Sequence, residues 1–282
     1  MTSTTSMTID IQDQYLLGRT SAEYQRLRAQ ALLWEVSTVR ALQAIGIQEG
    51  MNCLEVGSGP GEVMRLLGTM VGPEGHVTGI DIDERLGEES LHILKTTIGP
   101  QFSFQALDLE TLPTHLPNAP YDLVYARLTM IHLNNPVAVL RHLWSFVKPG
   151  GTLLIQDYDM SYVHTYPPTW ATDEFERVLF QTFDISGKDY RMGSRMPGLF
   201  VEAGIGAPTN TDIYGLIEPF QKIYPMLVAV YRSLLPAALK MGVTTEQQSN
   251  RFLTELAEQA QNRTYYTGSW PLMIATWKQK VG

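Results

Sequence analysis

Leu54-Glu55-Val56-Gly57-Ser58-Gly59-Pro60-Gly61-Glu62 is the stretch on which the reading of this chain turns. An apolar run from Met51 to Val56 enters it. Three glycines follow at alternate positions, and Val63, Met64, Leu66 and Leu67 leave it at helical spacing. Strand, glycine turn and helix in that order let a backbone come close to a nucleotide, because glycine has no Cβ to clash. The same pattern also makes a tight strand-to-helix turn that holds nothing. The dinucleotide fingerprint is G-x-G-x-x-G. Here the spacing is G-x-G-x-G, and Glu62 stands where the helix should begin. A carboxylate there repels a pyrophosphate, and Glu55 adds a second acid before the first glycine. Acid on both sides suits a cationic ligand, although acid in a first helical turn also simply complements the helix dipole.

Glu55-Val56-Gly57-Ser58-Gly59-Pro60-Gly61 resembles the first motif of the class I S-adenosylmethionine-dependent methyltransferases of small-molecule type. The resemblance runs from about Met51 to Asp157, and more loosely over the whole chain. It implies an α/β fold: a doubly wound, seven-stranded, mostly parallel sheet ordered 3-2-1-4-5-7-6 with the last strand antiparallel. It also implies S-adenosyl-L-methionine as cofactor, a sulfonium with an α-amino group, which is the cationic ligand the flanking acids suit.

Length and composition leave room for this. The chain has 282 residues, enough for one large α/β domain with an inserted cap. It is 44% hydrophobic, so a sizeable core can form. A formal charge of -8 argues against nucleic acid or an anionic membrane as the main partner, since both attract basic surfaces. No apolar run approaches the ~18 to 20 residues of a membrane span. Met1 to Asp10 lacks the parts of a signal peptide, so the expected location is cytoplasmic. Cys53 is the only cysteine, so no intrachain disulfide and no multi-cysteine metal site is expected.

Thr20-Ser21-Ala22-Glu23 fits a capping box, and Tyr24, Leu27, Ala31 and Trp34 recur at helical spacing. One or two amphipathic helices therefore precede the sheet. By the resemblance they cover the cofactor, with Tyr15 closing over its methionine end; packing of a flexible arm is the other role open to Tyr15. Strands are expected at Met51–Val56, at His76–Ile80 and at Phe102–Leu107. Asp81 ends the second, about twenty residues past the glycines, where an acid can accept from both ribose hydroxyls. Asp83 reads as a helix N-cap. The resemblance makes Ile82 an apolar contact to adenine. It gives Asp108, after the third strand, the adenine amino group, and Leu109 the ring. Beyond strand four, Tyr121–Ala126, comes Arg127-Leu128-Thr129-Met130-Ile131-His132-Leu133. This loop leaves the carboxyl edge of the sheet, where open α/β sheets bind ligands, and Arg127 is counted with the cofactor site. His132 is the candidate base; a histidine bonding backbone in a core is the alternative.

Strand five is expected at Thr152–Gln156, a short helix from Met196 to Gly204, strand six at Asn210–Leu216 and strand seven at Met273–Lys278. About fifty residues separate the last two, with helical patterns from Pro219 to Leu239 and from the capping box at Thr244-Thr245-Glu246-Gln247 to Ala260. The implied organisation is a helical cap over 1–50, a cofactor-binding core over 51–216 plus 265–282, and a helical insertion over 217–264. That insertion is either a substrate lid or the surface of a homodimer. Tyr158, Tyr162, Tyr166, Trp170, Phe175, Phe180 and Phe183 crowd the stretch after strand five. The functional expectation is methylation of an apolar or aromatic small metabolite, at oxygen before carbon or nitrogen, without a metal. The alternatives are a non-methylating reaction, such as cyclisation or decarboxylation with the cofactor retained, and a non-catalytic partner subunit.

Overall fold

The strand that enters the glycine turn lies at the centre of a seven-stranded sheet. The computed structural model describes residues 21–262 and 266–282. Strand β1 (Asn52–Val56) pairs in parallel with β2 (His76–Asp81), and β2 with β3 (Phe102–Ala106). On its other side β1 pairs with β4 (Tyr121–Arg127), which pairs with β5 (Val147–Asp159). Beyond lie β6 (Thr165–Tyr166), β7 (Asn210–Tyr214), β8 (Ile217–Pro219), β9 (Thr267–Ser269) and β10 (Leu272–Gln279). The main sheet runs β3-β2-β1-β4-β5-β10-β7, with β10 antiparallel to both neighbours. Counting only its own strands, this is the expected order 3-2-1-4-5-7-6.

Alternation along the central strands divides the core in two. Cys53, Leu123 and Tyr125 join one buried cluster, with Val63, Met64 and Leu67 from α3 (Glu62–Val71). Leu54, Val56, Val124 and Ala126 join the other. The helices ahead of the sheet are α1 (Ser21–Leu33) and α2 (Glu35–Ala44), broken at the fully buried Trp34. After α3 come α4 (Glu84–Thr97), α5 (Pro136–Phe146), α6 (Trp170–Ser186), α7 (Met192–Glu202), α8 (Phe220–Lys240) and α9 (Glu246–Gln261). Asp83 caps α4 by accepting from Leu86 N, as expected.

Several boundaries differ from the sequence reading, each for a packing reason. The helix after the glycine turn continues through Gly68 to Val71. Gly68 is there for contact: a Cβ would lie 2.1 Å from the Phe102 ring. Strand five is much longer than Thr152–Gln156, because β10 pairs with it from Thr152 through Asp159. Strand six stops at Tyr214, and Ile217–Pro219 turns away into a separate three-stranded sheet, β6-β9-β8. A 17-residue helix, α6, fills much of the aromatic-rich stretch after strand five, where no element was expected. Thr169 and Thr172 make its reciprocal capping box. The capping box expected from Thr20 to Glu23 lies outside the described residues, since Thr20 does. The Glu23 carboxylate binds Arg26 at 2.6 and 2.8 Å and accepts from Ser233 Oγ at 2.6 Å. That bond ties α1 to α8.

Helices α6, α8 and α9 pack on one another, and α1 packs on α8. Side chains of α1, α6 and α8 line one cavity with the residues that follow β1, β3 and β4. Among the described residues no helix is long and apolar enough to cross a membrane.

Candidate active site

The glycine turn is shaped by what its glycines touch. Gly57 has φ +71°, and a Cβ there would lie 2.4 Å from Thr129 Oγ1, so only glycine fits. Gly59, at φ +47°, has no atom within 4 Å of where a Cβ would point, and it opens onto a cavity. Gly61 stands apart from the cavity wall. It is the left-handed N-cap of α3 and packs on Ser90 and Leu94 of α4. Ile80 O accepts from Gly57 N and Ser58 N at 2.8 and 3.0 Å, which holds the turn against β2.

Asp81 is fixed by the same turn. Its Oδ2 accepts from Gly59 N at 2.8 Å and its Oδ1 from Asp83 N at 2.9 Å. Each carboxylate oxygen can accept more than one hydrogen bond, the property an acid needs to bind two vicinal hydroxyls. Asp108 caps the short turn Leu109–Thr111 by accepting from Glu110 N at 2.9 Å. Glu110 then accepts from Asn134 N, Asn134 Nδ2 and Asn135 N at 2.6 to 3.0 Å, locking this turn to the loop after β4. Burial pushes the Glu110 carboxyl up, but those bonds outweigh it and hold the value below the ordinary range.

A single cavity of about 300 Å³ gathers these groups. Glu55, Gly57, Gly59, Asp81, Ile82, Asp108, Leu109 and Arg127 all line it. Glu55 is buried, and burial raises its carboxyl well above the usual range despite the nearby Arg127 guanidinium. Its Oε2 has no hydrogen-bond partner among the described residues. A buried acceptor left without a donor is costly, and an ammonium at this wall would satisfy it. The donor set thus fits an adenosyl sulfonium carrying an α-amino group: a cradle without a Cβ, an acid set for ribose, apolar Ile82 and Leu109, and an orphan acid for the amine. Arg127 donates to Thr38 Oγ1 at 2.8 Å, which places it against α2. The next residue, Leu128, carries φ +54°, a costly conformation for a residue with a branched side chain, and it too lines the cavity. Tyr15 lies outside the described residues.

Farther in, the wall changes character. Phe175, Leu179 and Phe183 of α6, Met226 and Leu227 of α8, and Trp270 make an apolar recess. Between the two ends runs a polar seam. Glu23 grips Arg26, Arg26 Nη1 donates to Gln30 Oε1 at 2.6 Å, and Gln30 Nε2 donates to Tyr158 Oη at 2.7 Å. His132 also lines the cavity. Burial lowers its pKa to about 3, helped by the charges of Arg26 and Lys188, so at neutral pH the imidazole is uncharged. A group this weakly basic does not retain a proton at neutral pH. Arg26, Gln30 and Tyr158 carry no motif, and Glu23 was read only as part of a capping box. Gln30 and Tyr158 meet across 128 residues of chain, and only the crowding of aromatics after strand five hinted at this region.

Comparison with known proteins agrees with this geometry. Residues 47–193, just over half of the chain, match the family model described as a methyltransferase domain. Phosphoethanolamine N-methyltransferase 1 of Arabidopsis thaliana is 27% identical over 149 residues, covering 53% of this chain and 28% of that protein. Demethylmenaquinone methyltransferase of Listeria monocytogenes is 27% identical over 127 residues, covering 44% of this chain and 50% of that protein. The match therefore spans half or less of each of these two relatives. Among solved structures, the YcgJ protein of Bacillus subtilis superposes with a TM-score of 0.57 at 16% identity, covering 88% of this chain and 100% of that one. With the family model matched over the glycine turn and its acids, this chain belongs to the class I S-adenosylmethionine-dependent methyltransferases.

Proposed function

We propose that this chain transfers the methyl group of S-adenosyl-L-methionine to an apolar or aromatic small molecule, at the oxygen of an acidic hydroxyl in preference to carbon or nitrogen. One observation carries the reading. A single cavity joins the glycine turn and its acids to the apolar recess under α6 and α8. Bound at the glycine end, the cofactor supplies an electrophilic methyl group on a positively charged sulfur. Glu55 takes its amine, Asp81 its ribose, and Ile82, Asp108 and Leu109 its adenine. The recess holds the acceptor against that methyl and keeps water out, with the 217–264 insertion as roof. Such orientation can supply roughly 7 to 11 kcal/mol of a barrier.

Proton removal is where this site is weak. His132 at a pKa of about 3 offers little driving force as a base. A hydroxyl acceptor must therefore arrive acidic, as a phenol or an enol does. That is why oxygen on an aromatic or conjugated system is favoured here over an aliphatic alcohol.

The first test is thermal unfolding with S-adenosylhomocysteine. Ligand at a hundred times its Kd stabilises by about 2.7 kcal/mol, which appears as a rise in Tm of a few degrees. No shift at millimolar ligand refutes the cofactor assignment. Supplying S-adenosylmethionine with a labelled methyl group to a mixture of small metabolites then reads the acceptor directly, and label recovered only in polar aliphatic products refutes the acceptor class.

A further inference from the structure

The groups around the Tyr158 hydroxyl leave its proton one direction to take. Trp34 Nε1 can only donate, and it donates to Tyr158 Oη at 2.5 Å. Gln30 is oriented by Arg26: a guanidinium has no acceptor, so the amide atom facing it is the oxygen, and the amide nitrogen faces Tyr158. Both acceptor positions of the hydroxyl are thus filled by donors from the N-terminal helices. Among the described residues no acceptor receives the hydroxyl's own proton. Tyr158 lines the cavity at the junction of the cofactor end and the recess. Burial raises its pKa to about 12 even though the bonds from Gln30 and Trp34 lower it, so the proton stays on at neutral pH. On the recess side the nearby donors are already used. Ser269 Oγ donates to Tyr162 O, and Trp270 Nε1 to Glu218.

We propose that the Tyr158 hydroxyl donates a hydrogen bond to an oxygen of the methyl acceptor, and so selects an oxygenated apolar ring over the bare hydrocarbon. The acceptor class is a phenol or a quinol. This rests on the reading of the recess as the acceptor site. The network behind it has a purpose beyond packing. Glu23 sets Arg26, Arg26 sets Gln30, and Gln30 with Trp34 turns the Tyr158 proton toward the ligand.

The test compares 1-naphthol with naphthalene by ligand-observed NMR on protein saturated with S-adenosylhomocysteine. The expected result is roughly tenfold tighter binding of the naphthol, the worth of one buried hydrogen bond. Tyr158→Phe should reduce that preference to about twofold or less and leave S-adenosylhomocysteine affinity unchanged. Gln30→Glu offers Tyr158 an acceptor where a donor stood, turns its proton away from the cavity, and should erase the preference with the ring still present. If Tyr158→Phe does not fold, Gln30→Glu decides the matter alone. Equal binding of both rings to the natural protein overturns the proposal, as does a preference that survives both variants. A Tyr158→Phe variant that loses cofactor affinity and keeps the ring preference also overturns it, since the hydroxyl then serves the cofactor. Failure of both rings to bind while S-adenosylhomocysteine still binds overturns the acceptor reading together with this one, and leaves the cofactor assignment standing.

Discussion

The two ends of the cavity are assembled from different distances along the chain. At the cofactor end, Gly57, Gly59, Asp81 and Asp108 follow successive strands, β1, β2 and β3, that lie side by side. Backbone hydrogen bonds fix them: Gly59 N to Asp81, Glu110 N to Asp108, Gly57 N to Ile80 O. At the acceptor end, α1, α6, α8 and the segment before β10 each contribute a few side chains to the wall. Side-chain packing and the seam from Glu23 to Tyr158 hold that end together. A site held by backbone tolerates few changes in shape. A site held by side chains can change its lining residue by residue. The difference predicts that variants at the first end lose the cofactor, and that variants at the second lose stability or acceptor choice while the cofactor still binds.

The largest effect is expected at Gly57. Gly57→Ala places a Cβ 2.4 Å from Thr129 Oγ1 at a positive φ, which together cost about 3 to 5 kcal/mol. Urea unfolding should show that loss, and S-adenosylhomocysteine binding should vanish. Phe183→Ala, in the recess, removes a buried ring and should cost about 3 kcal/mol. Its cofactor affinity should stay within a factor of two by calorimetry; a tenfold loss there would break the comparison. Asp81→Asn keeps one acceptor oxygen and loses the charge, so calorimetry should show cofactor binding weakened by roughly ten- to a hundredfold.

Asp157 sharpens the contrast through pH. It is fully buried behind the loop after β4 and accepts from Tyr158 N at 2.8 Å and Ile131 N at 3.1 Å. Burial raises its pKa from 3.8 to about 7, against the pull of those bonds. A raised folded value means its contribution is complete below pH 3.8 and is lost as pH rises through 7. Asp157→Asn cannot ionise and gives up one backbone bond. Urea titrations should find it weaker than the natural protein at pH 4.5, with the gap closing by on the order of 3 kcal/mol by pH 8. A gap independent of pH would remove Asp157 as its source. The smallest effect is expected at Glu110→Ala, which frees Asn134 and Asn135 at the rim and should change cofactor affinity by about twofold or less.

The same distances along the chain decide what could be read from the sequence. β1, the glycine turn and Asp81 were legible because one local pattern, apolar run then Gly57-Ser58-Gly59, demands one local geometry. Asp83 as a cap was legible for the same reason; Asp122, which accepts from Asn52 N at 2.9 Å and pairs with Lys148, serves the fold without any such local pattern. Gly68 was ambiguous, because a glycine in a helix signals a stop as readily as a close contact, and only Phe102 across the interface decides which. Helix α6 was not read, although Thr169 can cap it and Phe175, Leu179 and Phe183 repeat at helical spacing after that residue, because only the crowding of aromatics was taken from this stretch. His132 was read as the candidate base, and its low basicity was not legible, because burial under distant elements sets it, with the charges of Arg26 and Lys188 adding to it. The seam was hidden altogether, since nothing in the order of residues says that Gln30 meets Tyr158.

Helix α1 belongs to both ends of the cavity. Near its start, Tyr24 donates to Asp83 at 2.6 Å beside the ribose acid. Six residues later, about 9 Å along the same rigid rod, Gln30 sets the Tyr158 proton. Moving Tyr24 off the sheet would carry Gln30 with it, and on the proposed reading would disarm the donor that discriminates among acceptors. The contact beside the glycine turn and the proposed choice of acceptor are thus mechanically joined, so a variant that loosens this rod should become less choosy.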